Sequence, residues 1–230
     1  MICTLCPRNC GAERTETKTG GVCRQLSIPV AAKAMLHQWE EPCFVGEHGA
    51  GTVFFSGCNL RCCFCQNGPI SQGEVGKPIT AQRLREIFRE LIAQGAACLD
   101  LVTPTHFTPV ILEALGEEPW PVPVVWNCGG YEERATLQPL EGKVQVYLPD
   151  LKYALPGPAK KYSAAEDYFE WASAAILEMF RQTGPYRMEN GLLKRGVLIR
   201  HLILPGELEN SRRVIDWVAE TFQPGDVLFS

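Results

Sequence analysis

Gly51-Thr-Val-Phe-Phe-Ser-Gly-Cys58-Asn-Leu-Arg-Cys62-Cys-Phe-Cys65 decides how this chain is read. Thr52–Phe55 is an apolar, β-branched run that predicts a strand. The loop after it carries Cys58, Cys62 and Cys65 in a C-x3-C-x2-C spacing. Three thiolates on one short loop suit a cubane 4Fe-4S cluster. Such a cluster normally takes four cysteine ligands, so a three-cysteine loop leaves one iron open. An open metal position is where chemistry happens, as at catalytic zinc sites. Two plainer readings compete. Cys62 and Cys65 would make half of a zinc site, but the second half must come from elsewhere. Buried structural cysteines are common, yet four within Cys58–Cys65 make odd packing. Cys63 breaks the spacing and reads as a non-ligand.

Outward from this loop, strand-like runs recur at Pro29–His37, Cys98–Val102, Val122–Trp126, Val144–Leu148, Val197–Leu204 and Asp226–Phe229. Helical spacing lies between them at Ala81–Gln94, Thr108–Leu115, Glu132–Leu140, Lys160–Gln182 and Ser211–Phe222, with Thr80 as an N-cap and Tyr162–Arg181 the strongest helical run. This alternation predicts βαβ units and a parallel sheet. An eight-stranded barrel takes about 250 residues, so the length predicts an α/β fold with an open, partial (βα)6 barrel. Two parts are expected: a small Cys-rich N-terminal lobe over residues 1–50 and the core over 51–230. Sites in parallel sheets sit at the carboxyl ends of strands, so the residues just after each strand matter most.

A net charge of −4 with mixed signs lacks the basic footprint of a nucleic-acid binder. No apolar run reaches membrane-spanning length, and Met-Ile-Cys-Thr-Leu-Cys lacks a signal peptide's regions, so a cytoplasmic protein without membrane or nucleic-acid partners is expected. Eleven cysteines, an odd and clustered set, point to metal binding or redox work rather than a disulfide framework. Cys3, Cys6, Cys10 and Cys23 read C-x2-C-x3-C-x12-C, four thiolates for a closed site, either structural zinc or a second iron–sulfur cluster. Cys98 and Cys128 read as packing, although Cys128 stands at the active-site edge.

The cysteine loop with Phe64 before its last cysteine resembles the radical S-adenosylmethionine superfamily. Cys-Thr-Leu-Cys-Pro-Arg-Asn-Cys-Gly (3–11), Phe-Phe-Ser-Gly-Cys-Asn-Leu-Arg-Cys (54–62), Leu-Val-Thr-Pro-Thr-His (101–106), Tyr-Leu-Pro-Asp-Leu-Lys-Tyr (147–153) and Arg-His-Leu-Ile-Leu-Pro-Gly (200–206) are similar to its PflX-type branch. That branch is related to pyruvate formate-lyase activating enzyme. The resemblance implies that the open iron chelates the amino and carboxylate groups of S-adenosyl-L-methionine. One electron then splits a sulfonium carbon–sulfur bond, giving methionine and a 5′-deoxyadenosyl radical that removes a hydrogen atom from substrate. It further implies an external electron donor such as flavodoxin or ferredoxin and a protein or peptide substrate such as a glycyl radical enzyme. Radical modification of another peptide or small molecule, and a non-catalytic electron-transfer module, stand as alternatives.

The cofactor contacts expected on this basis are Phe64 stacking on a ring, Thr103 and Thr105 where activating enzymes carry Gly-Gly-Glu, and Asn127 reaching the ribose. Asp150 and Lys152 match an Asp-x-Lys element, and Arg200 and His201 are expected within the fifth strand, only one of them pointing inward. An ion pair at the rim is the plain alternative for Asp150 and Lys152. His106 reads as a helix-cap residue or a proton donor. Glu40-Glu41-Pro42 and Trp126 carry no assignment on their own.

Overall fold

The structure, a computed structural model, describes residues 2–73 and 75–230. Among the described residues the chain is a mixed α/β protein with nine strands in one largely parallel sheet and eight α-helices. The parallel strands are β2 (Ala50–Phe55), β4 (Leu99–Val102), β5 (Val124–Cys128), β6 (Val146–Pro149), β8 (Leu192–Ile199) and β9 (Leu228–Phe229), each beside the next in that order. β1 (Val30–His37) runs antiparallel along the free side of β2, and β3 (Lys77–Pro78) along β1. The sheet therefore begins at Val30, upstream of the boundary expected at residue 50.

The period of two sorts each strand between two cores. Leu99, Leu101, Val124, Trp126, Tyr147, Val197 and Ile199 join the larger core with Leu84, Phe88 and Leu91 of α3 (Ala81–Ala93), and Ile176 and Met179 of α7 (Tyr168–Thr183). Cys98, Val125, Val146, Leu148 and Leu198 form the second core with Phe44 of α1 (Pro42–Val45). By the same parity Asp100, Asn127, Asp150 and Arg200 share the second face. β-pairing sets Val102 beside Asn127, Asn127 beside Leu148, and Asp150 beside Arg200. Polar side chains in or just beyond four neighbouring strands are thus gathered at one end of one face.

α3 and α4 (Thr108–Leu115) match their sequence patterns, and Thr80 caps α3 by accepting from the Arg83 N–H at 3.1 Å. Three expectations are corrected. The run from Lys160 to Gln182 is two helices, α6 (Pro156–Ser163) and α7, broken at Ala164 in the left-handed region. Arg8 holds the carbonyls of Ser163 and Ala164, a tertiary contact that overrides local propensity. Within Glu132–Leu140 only α5 (Arg134–Leu137) is α-helical, followed by a 3-10 turn at Pro139, which lacks an N–H. β8 starts early, at Leu192, and ends at Ile199, so Arg200 and His201 follow the strand rather than lying in it. Its start is a hairpin with β7 (Arg187–Glu189), closed by Asn190-Gly191, both at positive φ, the preferred residues of a two-residue turn. The remaining helices are α2 (Gly68–Gln72) and α8 (Leu208–Thr221), and none of the described helices is long and apolar enough to cross a membrane.

Candidate metal centre and adjoining cleft

The cysteine loop leaves β2 through Ser56-Gly57. Gly57 has φ +78°, and a Cβ there would come 2.7 Å from the Cys23 carbonyl oxygen, so only glycine lets the loop lie against the N-terminal lobe. His106 Nε2 lies 2.8 Å from the Ser56 carbonyl, which can only accept, so the ring donates from that nitrogen. Burial pushes His106 down to about 3, and the ring is a neutral strut under the loop. Arg61 in the loop and Thr103 after β4 both hold left-handed backbone, a cost of about 1–2 kcal/mol for a residue with a Cβ. That strain falls on the two segments bordering the cleft.

Cys58, Cys62 and Cys65 all line one cleft, while Cys63 is exposed and outside it. Each of the three sulfurs accepts a hydrogen bond: Cys58 from the Leu60 N–H (3.4 Å), Cys62 from the Ser163 hydroxyl (2.9 Å) and Cys65 from the Ser71 hydroxyl (3.3 Å). Burial pushes the Cys58 thiol up to about 11 and raises Cys62 as well. Neutral thiols in such a place become thiolates when a metal supplies positive charge. Among the described residues no three His, Cys, Asp or Glu side chains gather around a single ion-sized point. A mononuclear zinc needs all its sulfurs about 2.3 Å from one centre. A cubane takes one thiolate per iron, so these three cysteines could hold three of its four irons.

The cleft holds about 890 Å³ beyond the carboxyl ends of the parallel strands, ample for a nucleoside-sized ligand. It brings together Phe64, Thr103, Asn127, Asp150, Lys152, Arg200 and His201 with the three cysteines. Thr105 stands apart: it is buried in a 3-10 turn and donates to Glu132 Oε1 at 2.6 Å. Arg200 is the hub. Its Nε donates to Asp150 Oδ1 (3.0 Å), Nη1 to Glu40 Oε1 (3.1 Å) and Nη2 to Asn127 Oδ1 (2.7 Å). Asn127 Nδ2 in turn donates to Glu40 Oε2 at 3.2 Å. Asp150 and Lys152 line the cleft and form an ion pair with each other at 2.5 Å, the contact named above as the plain alternative. Burial alone would raise Asp150, but Arg200 and Lys152 outweigh it and hold the carboxyl below its ordinary range. His201 bonds the Leu151 carbonyl and Ser211 Oγ through its two ring nitrogens. Cys98 and Cys128 are buried.

Asp100 lies beneath this network, fully buried, with Oδ1 unpartnered and Oδ2 accepting from Thr52 Oγ1 at 3.2 Å. Burial, then the nearby Glu40 carboxylate, pushes it up to about 8 from an ordinary 3.8. The folded chain thus keeps a proton that the unfolded chain sheds, and stability contributed by Asp100 falls as pH rises through that window. Asp100→Asn is neutral throughout. Its stability relative to the parent is expected to grow between pH 5 and pH 8, by at most about 1.4 kcal/mol per pH unit. Urea midpoints at the two pH values measure this, and an unchanged gap would contradict the assignment.

Upstream, Cys3, Cys6, Cys10 and Cys23 lie in one lobe of turns and isolated bridges, and among the described residues no three of them gather around a single ion-sized point. A Cβ on Gly21 would lie 2.9 Å from Cys10 Sγ and 4.0 Å from Cys23 Sγ. Cys6 is pushed up to about 12 by burial, with Glu132, then Cys23 and Cys3, adding to it. Arg14 donates to Cys3 Sγ (3.3 Å) and to the His106 carbonyl (2.9 Å). Arg8, between Cys6 and Cys10, reaches the carbonyls of Asn59 (2.7 Å) and Ser163 (2.7 Å), and packs over the Tyr131 ring. Arg8 clamps the lobe onto the cysteine loop, and Arg14 ties it to the turn at His106.

Glu40, Asp100, Ser71, Ser163 and Arg8 were not singled out by sequence reasoning. Asp100 carried a signal, a lone charge inside a short apolar strand. Glu40 was visible only as part of an acidic pair, and the two serines had no signal at all.

A family model described as a 4Fe-4S single cluster domain matches residues 45–113, a stretch that contains Cys58, Cys62 and Cys65 and leaves out the four upstream cysteines. The chain therefore carries a 4Fe-4S cluster domain. It is also similar to an uncharacterized protein of Methanocaldococcus jannaschii, 29% identical over 230 residues, which covers 95% of this chain. The chain spans 62% of that relative's length.

Proposed function

We propose that the chain is a radical S-adenosylmethionine enzyme of the PflX type. On this reading Cys58, Cys62 and Cys65 hold a 4Fe-4S cluster, and the six parallel strands are its partial (βα)6 barrel. One observation carries the proposal: a three-cysteine loop in a 4Fe-4S cluster domain opens onto a nucleoside-sized cleft walled by paired charges. With S-adenosyl-L-methionine on its open iron, the cluster supplies one-electron cleavage of a sulfonium carbon–sulfur bond.

The chain's own residues do the rest. Lys152 offers a compact positive charge to the methionine carboxylate, in exchange for part of its pairing with Asp150. Asn127 and Asp150 present acceptors to ribose hydroxyls, and Arg200 fixes both. Phe64 offers a ring face or edge to the adenine, and Thr103 offers backbone groups on a strained turn. Thr105 has no place in this set, because it lies outside the cleft. Tyr162, in edge contact with Phe64 at 6.0 Å, helps shield the loop from water.

The wider reading keeps the cysteine-rich lobe (residues 1–50) and the core (51–230) as functional units. The lobe holds zinc or a second iron–sulfur cluster. The enzyme draws its electron from a flavodoxin or ferredoxin in the cytoplasm, and its substrate is a protein or peptide such as a glycyl radical enzyme.

Anaerobic reconstitution with iron and sulfide, followed by dithionite and S-adenosyl-L-methionine, tests the proposal. Methionine and 5′-deoxyadenosine should form in equal amounts. An intact cluster that yields neither would sink it.

A further inference from the structure

The three candidate ligands differ in what donates to them. Cys58 receives a backbone N–H at 3.4 Å and Cys65 the Ser71 hydroxyl at 3.3 Å, both ordinary for a sulfur acceptor, whereas Ser163 Oγ stands closer, 2.9 Å from Cys62 Sγ. Ser163 is buried, and its hydroxyl has a second partner, Tyr153 Oη, at 2.7 Å. A serine has one proton to give. With a thiolate on one side, that proton goes to Cys62, and Tyr153 must donate its own to Ser163 Oγ. Each donation strengthens the next, so the serine is a stronger donor than it would be alone.

The relay is also rigid. Ser163 ends α6, where its carbonyl is held by Arg8 and the following residue turns left-handed. Arg8 spans from the upstream cysteine lobe to the Asn59 carbonyl inside the cluster loop. Lobe, loop and helix end are therefore fixed around one hydroxyl.

We infer that Ser163 is a positioning residue that sets the reduction potential of the cluster through its hydrogen bond to Cys62, with Tyr153 orienting and polarising it. The inference rests on the assignment of Cys58, Cys62 and Cys65 as cluster ligands. Reduction adds one electron, taken from an external one-electron donor, and so adds negative charge shared by the cluster and its thiolates. A hydrogen-bond donor at a ligand sulfur stabilises that added charge and raises the potential. Ser71 should act in the same sense on Cys65, more weakly because its bond is longer.

The test is a one-electron redox titration of the full chain, reconstituted anaerobically and followed by the paramagnetic signal of the reduced cluster, for the parent, Ser163→Ala, Ser163→Thr and Tyr153→Phe. A Cys62→Ala sample identifies which signal belongs to this loop. Ser163→Ala, at full iron content, should titrate at a more negative potential. We expect about a tenfold lower reduced-to-oxidised ratio at fixed potential, which is 59 mV for one electron. Ser163→Thr keeps the hydroxyl and should stay near the parent, and Tyr153→Phe should shift the same way as Ala but less. An unshifted Ser163→Ala, or a threonine variant shifted as far as alanine, overturns the inference while leaving the ligand assignment standing. If Ser163→Ala takes up no iron, Tyr153→Phe decides: a negative shift supports the relay and an unchanged potential overturns it. If Cys62→Ala loses none of the parent's signal, the ligand assignment is wrong instead.

Discussion

Cys58→Ala, Cys62→Ala and Cys65→Ala are each expected to lose the cluster and to fall at least about 100-fold in S-adenosylmethionine cleavage. Removing a partner behind a ligand already costs 10–100-fold, and loss of the ligand itself exceeds that. Cys63→Ala is the internal control. Cys63 is two positions from Cys65, yet its side chain is exposed and outside the cleft. It should keep the iron and the activity of the parent. Iron, sulfide and 5′-deoxyadenosine measured on all four variants check this. A Cys63 variant as damaged as the others would mean that the ligand set is misread.

The second large effect is expected at Arg200. Its guanidinium joins Asp150, Glu40 and Asn127, three partners drawn from different segments of the chain. Arg200→Met keeps much of the volume, takes the ion-pair partner from the mostly buried Glu40 and leaves Asp150 paired with Lys152. Breaking such a buried network by removing one partner costs about 3–5 kcal/mol. Arg200→Lys should recover little, since an ammonium cannot match the three-way fork. Adding Glu40→Gln to Arg200→Met removes one stranded charge and should return part of the loss, so the pair should be strongly non-additive. Urea unfolding of the single and double variants measures this. Simple additivity would contradict a shared network.

Much of this architecture was legible because periodicity carries it. Val124–Cys128 and Leu99–Val102 are apolar runs between helical patterns, and their parity places Asp100 and Asn127 on one face. The helix break at Ala164 was not legible, because Ala164 sits inside a good helical pattern. What ends α6 there is Arg8, far away in sequence. Asn190-Gly191 is the local signal for the hairpin before β8, and it stands beside a long helical run that dominates the pattern there. In the site, cysteine spacing and strand ends located most of the cleft wall. Thr105 failed because two residues past Thr103 the chain has already turned into a 3-10 helix and buried its hydroxyl on Glu132. Glu40 failed for the opposite reason: it comes from outside the βα pattern, after β1, and crosses to Asn127 and Arg200 only in three dimensions.

The central claim is that one iron at the Cys58–Cys65 loop is open and takes S-adenosyl-L-methionine. The most direct measurement is electron–nuclear double resonance on the one-electron-reduced chain, with cofactor carrying 15N in its amino group and 17O in its carboxylate. The account predicts hyperfine coupling from both nuclei to the cluster on addition of the labelled cofactor, and its disappearance in Cys62→Ala. A reduced cluster in the parent chain that shows neither coupling, with the cofactor bound in stoichiometric amount, would contradict it.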